Sequence, residues 1–305
     1  MRRRRLSLAY VGLHPRTLRA YRLSIDRFLK FLRKRRLPLK SSRALDLHLA
    51  EFIDVSYQEG EPLSYAGHLL SAIKRFHPEL RLVLPRASQL LRNWQRCYVP
   101  SRAVPASWPL VEAMMGIAFS KGNSLFALLL AFGFNCLLRT NEMLSLTHKH
   151  VVFHGQGNAI SLVLPGSKTS QGNPQVLLVS DLRLVSMARS LVRPGSGSLL
   201  WPHGPHQFRQ FFASCLTTLH FQEGSYTPYC LRTGGATWYF QTTLSLDATV
   251  TRGRWSCAKT ARQYIDEGTA QLAQVAWTRS QQAAVRQWSR FLLKKRLRQS
   301  AKFGR

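Results

Sequence analysis

The stretch "RTGGATWYFQTTLSLDATVTRGRWSCAKTARQYIDEG", residues 232 to 268, sets Arg232 at its head, Trp255 twenty-three residues later and Tyr264 nine beyond that. Taken singly, each is ordinary. A tyrosine among helix formers most often packs, and a tryptophan is as readily a core anchor as a hydrogen-bond donor. Taken together they raise a question of chemistry. Arginine offers a planar fork that fits phosphate oxygens, indole offers one N–H, and a phenol offers an oxygen nucleophile.

Working upstream, the apolar run "LFALLLAFGFNCLL", Leu125 to Leu138, spans 14 residues with Asn135 inside it. A membrane span needs roughly 18 to 20, so the run reads as a buried core helix. It leads into "CLLRTNEMLSL", where Arg139 and Glu142 stand three apart on one helical turn. An arginine beside an apolar helix needs a partner, because an unpaired buried charge is costly, and Glu142 can hold it. On its own this pair is equally well read as a structural ion pair.

Charge points the same way as these residues. Lys and Arg number 44 against 14 Asp and Glu, a formal charge of +30 with an isoelectric point near 11.3. Such a chain seeks a polyanion: nucleic acid first, an anionic membrane surface second. The N-terminal "MRRRRLSLAYVGLHPR" has a basic cluster but neither a long apolar stretch nor a small-residue cleavage site, so we expect an intracellular protein without a membrane partner. The Arg2 to Arg5 run serves as a nuclear address or as phosphate contacts. Cys97, Cys136, Cys215, Cys230 and Cys257 form no C-x-x-C pair, which predicts reduced cysteines. His148 with His150, and His203 with His206, lack metal-site spacing, so neither metal nor cofactor is expected.

The proline-bearing "CYVPSRAVPASWP" marks a boundary. We expect a helical DNA-binding domain over 1–100, a linker over 101–109, a second domain over 110–275 and a basic tail helix over 276–305. Residues 1–105 carry 22 Lys+Arg and 7 Asp+Glu, and the remaining 200 residues carry the same numbers, so both halves are set to face one polyanion. In "HPRTLRAYRLSIDRFLKFLRKRR", Leu18, Tyr21, Ile25, Phe28 and Leu32 recur at helical spacing, with Arg19, Arg22, Arg27 and Lys30 around the rest. Arg19, Arg22 and Lys30 are the candidate DNA contacts of this bundle. In the second domain, β-rich runs in "HVVFHGQGNAISLVLPGSKTSQGNPQVLLVS" flank Gly, Ser, Asn and Pro, which predicts a hairpin or three-stranded sheet with Lys168 at a turn. The fold class is therefore mainly α with a small β-sheet inset.

Here the chain resembles the tyrosine recombinase, or phage integrase, superfamily. "LLRTNEMLSL" is similar to its arginine-x-x-glutamate box, "YCLRTGGATWYF" to its histidine-x-x-arginine box and "GRWSCAKTARQYIDEG" to its final histidine-or-tryptophan and tyrosine box. "TLRAYRLSIDRFLKFL" resembles its core-binding domain, so the likeness extends over most of the chain. The resemblance implies a SAM-like helical bundle joined to a catalytic domain, which together clamp a duplex. It implies cutting without metal or ATP: Tyr264 attacks to give a 3′-phosphotyrosine, Arg139 and Arg232 hold the phosphate, Lys168 protonates the leaving 5′ oxygen, Trp255 donates to a phosphate oxygen and Glu142 orients Arg139. Tyr229 departs from the pattern by standing where a proton-accepting histidine is usual. A phenol with an ordinary pKa near 10 is a poor base, so proton transfer would fall to water, aided by the two arginines.

The family further implies a homotetramer on two double-stranded DNA sites, with accessory DNA-bending proteins as further partners, and a chromosome-associated location, nuclear in a eukaryote and nucleoid or cytoplasmic in a prokaryote. Two other readings stay open: a DNA-binding descendant that does not cut, and strand relaxation like that of a type IB topoisomerase. In the tail, Val285, Trp288, Phe291 and Leu292 fall at helical spacing among basic residues, which predicts a helix that docks on a neighbouring protomer or lies along DNA.

Overall fold

The computed structural model describes residue 10 and residues 12–98, 103–155, 158–165 and 173–303, the last eight by their backbone alone. Contacts divide the chain into two compact units, Met1–Ser101 and Arg102–Arg305.

The first unit holds α1 (Pro15–Lys34), α2 (Ser42–Gln58), α3 (Leu63–Phe76) and α4 (Pro85–Cys97). Each helix starts where its sequence allows. Pro15 opens α1, and Ser41 caps α2 by accepting from the Ala44 N–H at 3.1 Å. Leu84, which precedes α4, has no side-chain acceptor. The buried Asp46 of α2 supplies one, taking the N–H groups of Arg86 and Ala87 at 3.1 and 3.0 Å. Phe28, Leu32, Leu49, Phe52, Ile53, Leu69, Leu84 and Trp94 make the core. On α1 the apolar stripe is buried most fully at Phe28 and Leu32, while Arg19, Arg22 and Lys30 are exposed. Arg27 pairs with Glu61 at 2.8 Å and lies over the Tyr65 ring at 3.8 Å.

The second unit is built on α5 (Trp108–Ser120) and α6 (Ser124–Asn135), packed against each other. Both are apolar nearly all round, Glu112 of α5 excepted, the pattern of helices surrounded by protein, and every residue from Phe126 to Phe134 is buried. After the short α7 (Thr140–Leu144) come β1 (Val151–Phe153), β2 (Ile160–Leu164) and β3 (Gln175–Val179), an antiparallel sheet in that order with Val151 opposite Leu162 and Ile160 opposite Val179. Alternation sets Ile160, Leu162, Leu164, Leu177 and Val179 into the core. Seven further helices follow: α8 (Leu182–Leu191), α9 (Gly204–Thr218), α10 (Cys230–Thr243), α11 (Leu246–Gly253), α12 (Ala258–Arg262), α13 (Glu267–Val275) and α14 (Arg279–Phe303). Among the described residues no helix is long and apolar enough to cross a membrane.

The tail helix α14 packs along α5 of its own chain, with Val285 and Leu292 in the core, while Phe291 and Leu293 stay exposed. Gly116 allows this approach: a Cβ there would collide with the Trp288 carbonyl.

Candidate active site

Helix α10 carries the next step, because "RTGGAT" removes bulk where two other segments must come close. A Cβ on Gly234 would collide with the Ala106 backbone, and one on Gly235 with the Phe134 carbonyl of α6. The close fit buries Arg232 completely. Its Nη1 donates to the Leu137 carbonyl and its Nη2 to the Gly253 carbonyl, the latter at 2.8 Å. Burial, together with the charges of Arg139 and Arg254, brings its pKa down to about 10, so it remains a cation at neutral pH.

The C-terminal end of α6 makes this tolerable. The last carbonyls of a helix are unpaired and carry partial negative charge. Here arginines fill them: Arg252 Nε donates to the Asn135 carbonyl at 3.0 Å, Arg254 Nη1 to that of Cys136 at 3.1 Å, and Arg254 Nη2 to that of Leu137 at 3.4 Å. Leu137, at φ 50°, turns the chain sharply from α6 toward α7.

Arg139 precedes α7 and Glu142 lies in its first turn. The Glu142 carboxylate accepts from the Arg139 backbone N–H at 2.9 Å and from its Nη1 at 2.6 Å. The same carboxylate binds Arg254 Nη2 at 2.7 Å and lies 4.0 Å from Arg232 Nη1. Burial alone would raise the Glu142 pKa, but the Arg254 charge and the Arg139 contacts outweigh it and hold the carboxyl below its usual range. Arg139 keeps 35% of its side chain exposed and so remains reachable by a ligand.

Three aromatic rings close the site. Trp255 follows Arg254, its ring lying against Gly253, where a Cβ could not fit. The Arg232 guanidinium lies 4.8 Å from the Trp255 ring and 5.2 Å from the Tyr264 ring. The centres of those two rings are 4.7 Å apart. Tyr264 follows α12, is half-buried, and is held through its carbonyl by the Thr237 hydroxyl of α10 at 3.2 Å. Trp255 also packs with Leu137, Ala236 and Ala261, while its Nε1 is buried without a hydrogen-bond partner among the described residues. It is thus a core anchor that still holds an unused donor. Tyr229, at the start of α10 and 40% exposed, stands 5.8 Å from the Tyr264 ring.

Arg139, Glu142, Arg232, Trp255, Tyr264 and Tyr229 therefore meet in one place, although they come from separated parts of the chain. Lys168 lies outside the described residues. Arg19, Arg22 and Lys30 belong to the first unit. Sequence reasoning missed Arg254. Among the described residues no cluster of His, Cys, Asp and Glu is arranged to hold a metal ion.

No protein-family model and no curated protein matches the chain. Its fold does match solved structures. A XerH site-specific recombinase bound to a palindromic difH substrate in a post-cleavage complex is similar over 85% of this chain and 79% of its own, at 17% identity and TM-score 0.60. The Tn1549 transposon integrase in complex with transposon right end DNA is similar over 87% and 94%, at 12% identity and TM-score 0.58. A lambda integrase dimer bound to a COC′ core site is similar over 86% and 92%, at 16% identity and TM-score 0.58. The chain has the fold of the tyrosine recombinases.

Proposed function

We propose that the protein is a site-specific DNA recombinase that breaks and rejoins strands through a phosphotyrosine at Tyr264. The observation that carries this reading is the convergence of the half-buried Tyr264 phenol with the reachable Arg139, with Arg232 and with an indole N–H unpaired among the described residues, in a chain of charge +30. The Tyr264 oxygen attacks phosphorus and the bond from phosphorus to the 5′ oxygen breaks. That oxygen takes a proton, a role we assign to Lys168 on the strength of the resemblance. The phenolic proton goes to water. Arg139, Arg232 and Trp255 stabilise the charge that grows on the phosphate oxygens. The bond energy is kept in the phosphotyrosine, so a second DNA end reverses the step without ATP.

The two units grip one duplex, the first through Arg19, Arg22 and Lys30, and four copies assemble on two sites. A second reading, a DNA-binding descendant that no longer cuts, draws on one observation: both Arg232 terminal nitrogens are already engaged by carbonyls. The test uses a nicked duplex whose small fragment diffuses away after cutting, with a substrate pool that includes the DNA flanking the protein's own gene, and no added metal. A covalent adduct that vanishes in Tyr264→Phe supports the enzyme. Tight, salt-sensitive binding without adduct from either protein supports the second reading.

A further inference from the structure

Arg254 occupies a position that an arginine would not take by preference. Its backbone is left-handed, at φ 56°, a conformation that costs an L residue energy and persists where the surroundings impose it. Its guanidinium is buried, and Nη2 reaches Glu142 at 2.7 Å as well as the Leu137 carbonyl. Strained backbone and buried charge at one residue call for a functional account, and capping α6 alone does not supply it, since Arg252 and Arg232 also donate to carbonyls there.

The charges suggest one. Three arginines, Arg139, Arg232 and Arg254, surround the single carboxylate of Glu142. Both carboxylate oxygens are occupied, Oε1 by Arg139 Nη1 and Oε2 by the Arg139 backbone N–H and Arg254 Nη2, while Arg232 Nη1 lies 4.0 Å from the same Oε2. In a setting shielded from water this short gap matters, because attraction between charges is stronger there. Without Arg254, Oε2 would keep only the neutral Arg139 N–H, and Arg232 Nη1, at 4.0 Å, is placed to supply the lost charge. Closing that gap would neutralise Arg232 and draw it from the carbonyls that aim it. With Arg254 in place the cluster keeps an excess of two positive charges for an incoming anion.

We propose that Arg254 is a positioning residue that occupies Glu142 and so keeps Arg232 aimed by its two carbonyls with its charge left for a phosphate instead of being neutralised by the carboxylate, an inference that rests on the phosphoryl-transfer reading above. Burial lowers the pKa of Arg254, and the Glu142 charge is the largest effect opposing that fall.

The test compares the full-length native chain with Arg254→Gln, Arg254→Lys and the double variant Arg254→Gln/Glu142→Gln. One readout is the rise in melting temperature given by orthovanadate, a tetrahedral oxyanion; the other is the rate of adduct formation on the nicked duplex. Arg254→Gln should lose most of the vanadate stabilisation and at least tenfold in adduct rate. Removing the negative charge as well should recover a large part of both, because nothing is then left to neutralise Arg232 while the amide oxygen in Glu142→Gln still accepts from Arg139. Arg254→Lys, which keeps the charge, should retain most of the vanadate effect and carries the test if the glutamine variant does not fold.

A double variant no better than Arg254→Gln would make Arg254 a structural cap and overturn the proposal. So would loss of the vanadate effect in Arg254→Lys, or its absence in the native chain. If the native chain forms no adduct while the vanadate pattern holds, the recombinase reading falls and the charge balance at Arg254 stands.

Discussion

The rings of Tyr229 and Tyr264 stand 5.8 Å apart, centre to centre, and tilted by 49°. Burial raises the Tyr229 pKa, the neighbouring Tyr264 hydroxyl raises it further, and the opposing charges of Arg232 and Arg139 do not compensate. Tyr229 therefore stays a phenol at neutral pH, able to donate a hydrogen bond but not to take a proton. Tyr229→Phe should slow adduct formation by about tenfold, the worth of one hydrogen bond near 1.4 kcal/mol. Tyr229→His should add a limb to the pH–rate profile that rises through about pH 6.5, since imidazole accepts a proton only once it is neutral. Such a limb already present in the native chain and lost in Tyr229→Phe would make Tyr229 the base.

Glu142 links the site to acid stability. Its carboxyl pKa is lower in the folded chain than in the unfolded one, so its contribution is complete above the ordinary carboxylate pKa and is lost as pH falls through the folded value. The melting temperature of the native chain should therefore fall more steeply between about pH 5 and pH 3 than that of Glu142→Gln, whose amide does not titrate. Scanning calorimetry across that range decides it, and parallel curves would show that the cluster does not support the fold.

In the first unit the proposed DNA contacts should have an electrostatic signature. Arg19, Arg22 and Lys30 are exposed, whereas Arg27 is tied to Glu61 at 2.8 Å. Each alanine substitution at the first three should reduce the slope of log affinity against log salt by about 0.9, the counterion release of one phosphate contact. Arg27→Ala should change it less. Fluorescence anisotropy over a salt series measures both, and an unchanged slope in the triple variant would place the DNA elsewhere.

What could be read in advance follows from which physics is local. The apolar run ending at Leu138 reads as a core helix because nothing polar interrupts enough of it, and the β-rich runs separate at Gly and Pro. Arg139, Glu142, Arg232, Trp255 and Tyr264 are legible because their types and spacing fit one chemistry. Arg254 is not, since its meaning depends on a left-handed turn and on a carboxylate 112 residues away. The tail shows the same limit. Apolar spacing in 276–305 identifies a helix and its buried face, but a face does not name its partner, and only the bare backbone at Gly116 indicates α5 of the same chain.

That packing makes the last prediction. Leu292 is fully buried against the core of its own unit, while Phe291 beside it is 37% exposed. Leu292→Ala removes buried methyl groups and leaves a cavity, so it should destabilise the second unit by about 2–5 kcal/mol. Gly116→Ala should cost about 1–3 kcal/mol, because the atom its Cβ would meet is the Trp288 backbone carbonyl, which cannot swing aside as a side-chain tip can. Phe291→Ala should cost less than Leu292→Ala. Urea unfolding followed by circular dichroism tests this ranking, and it should hold at every protein concentration because the contact lies within one chain. A Leu292→Ala variant as stable as the native protein when dilute, and weaker only when concentrated, would mean that in solution α14 leaves α5 and is buried by another copy.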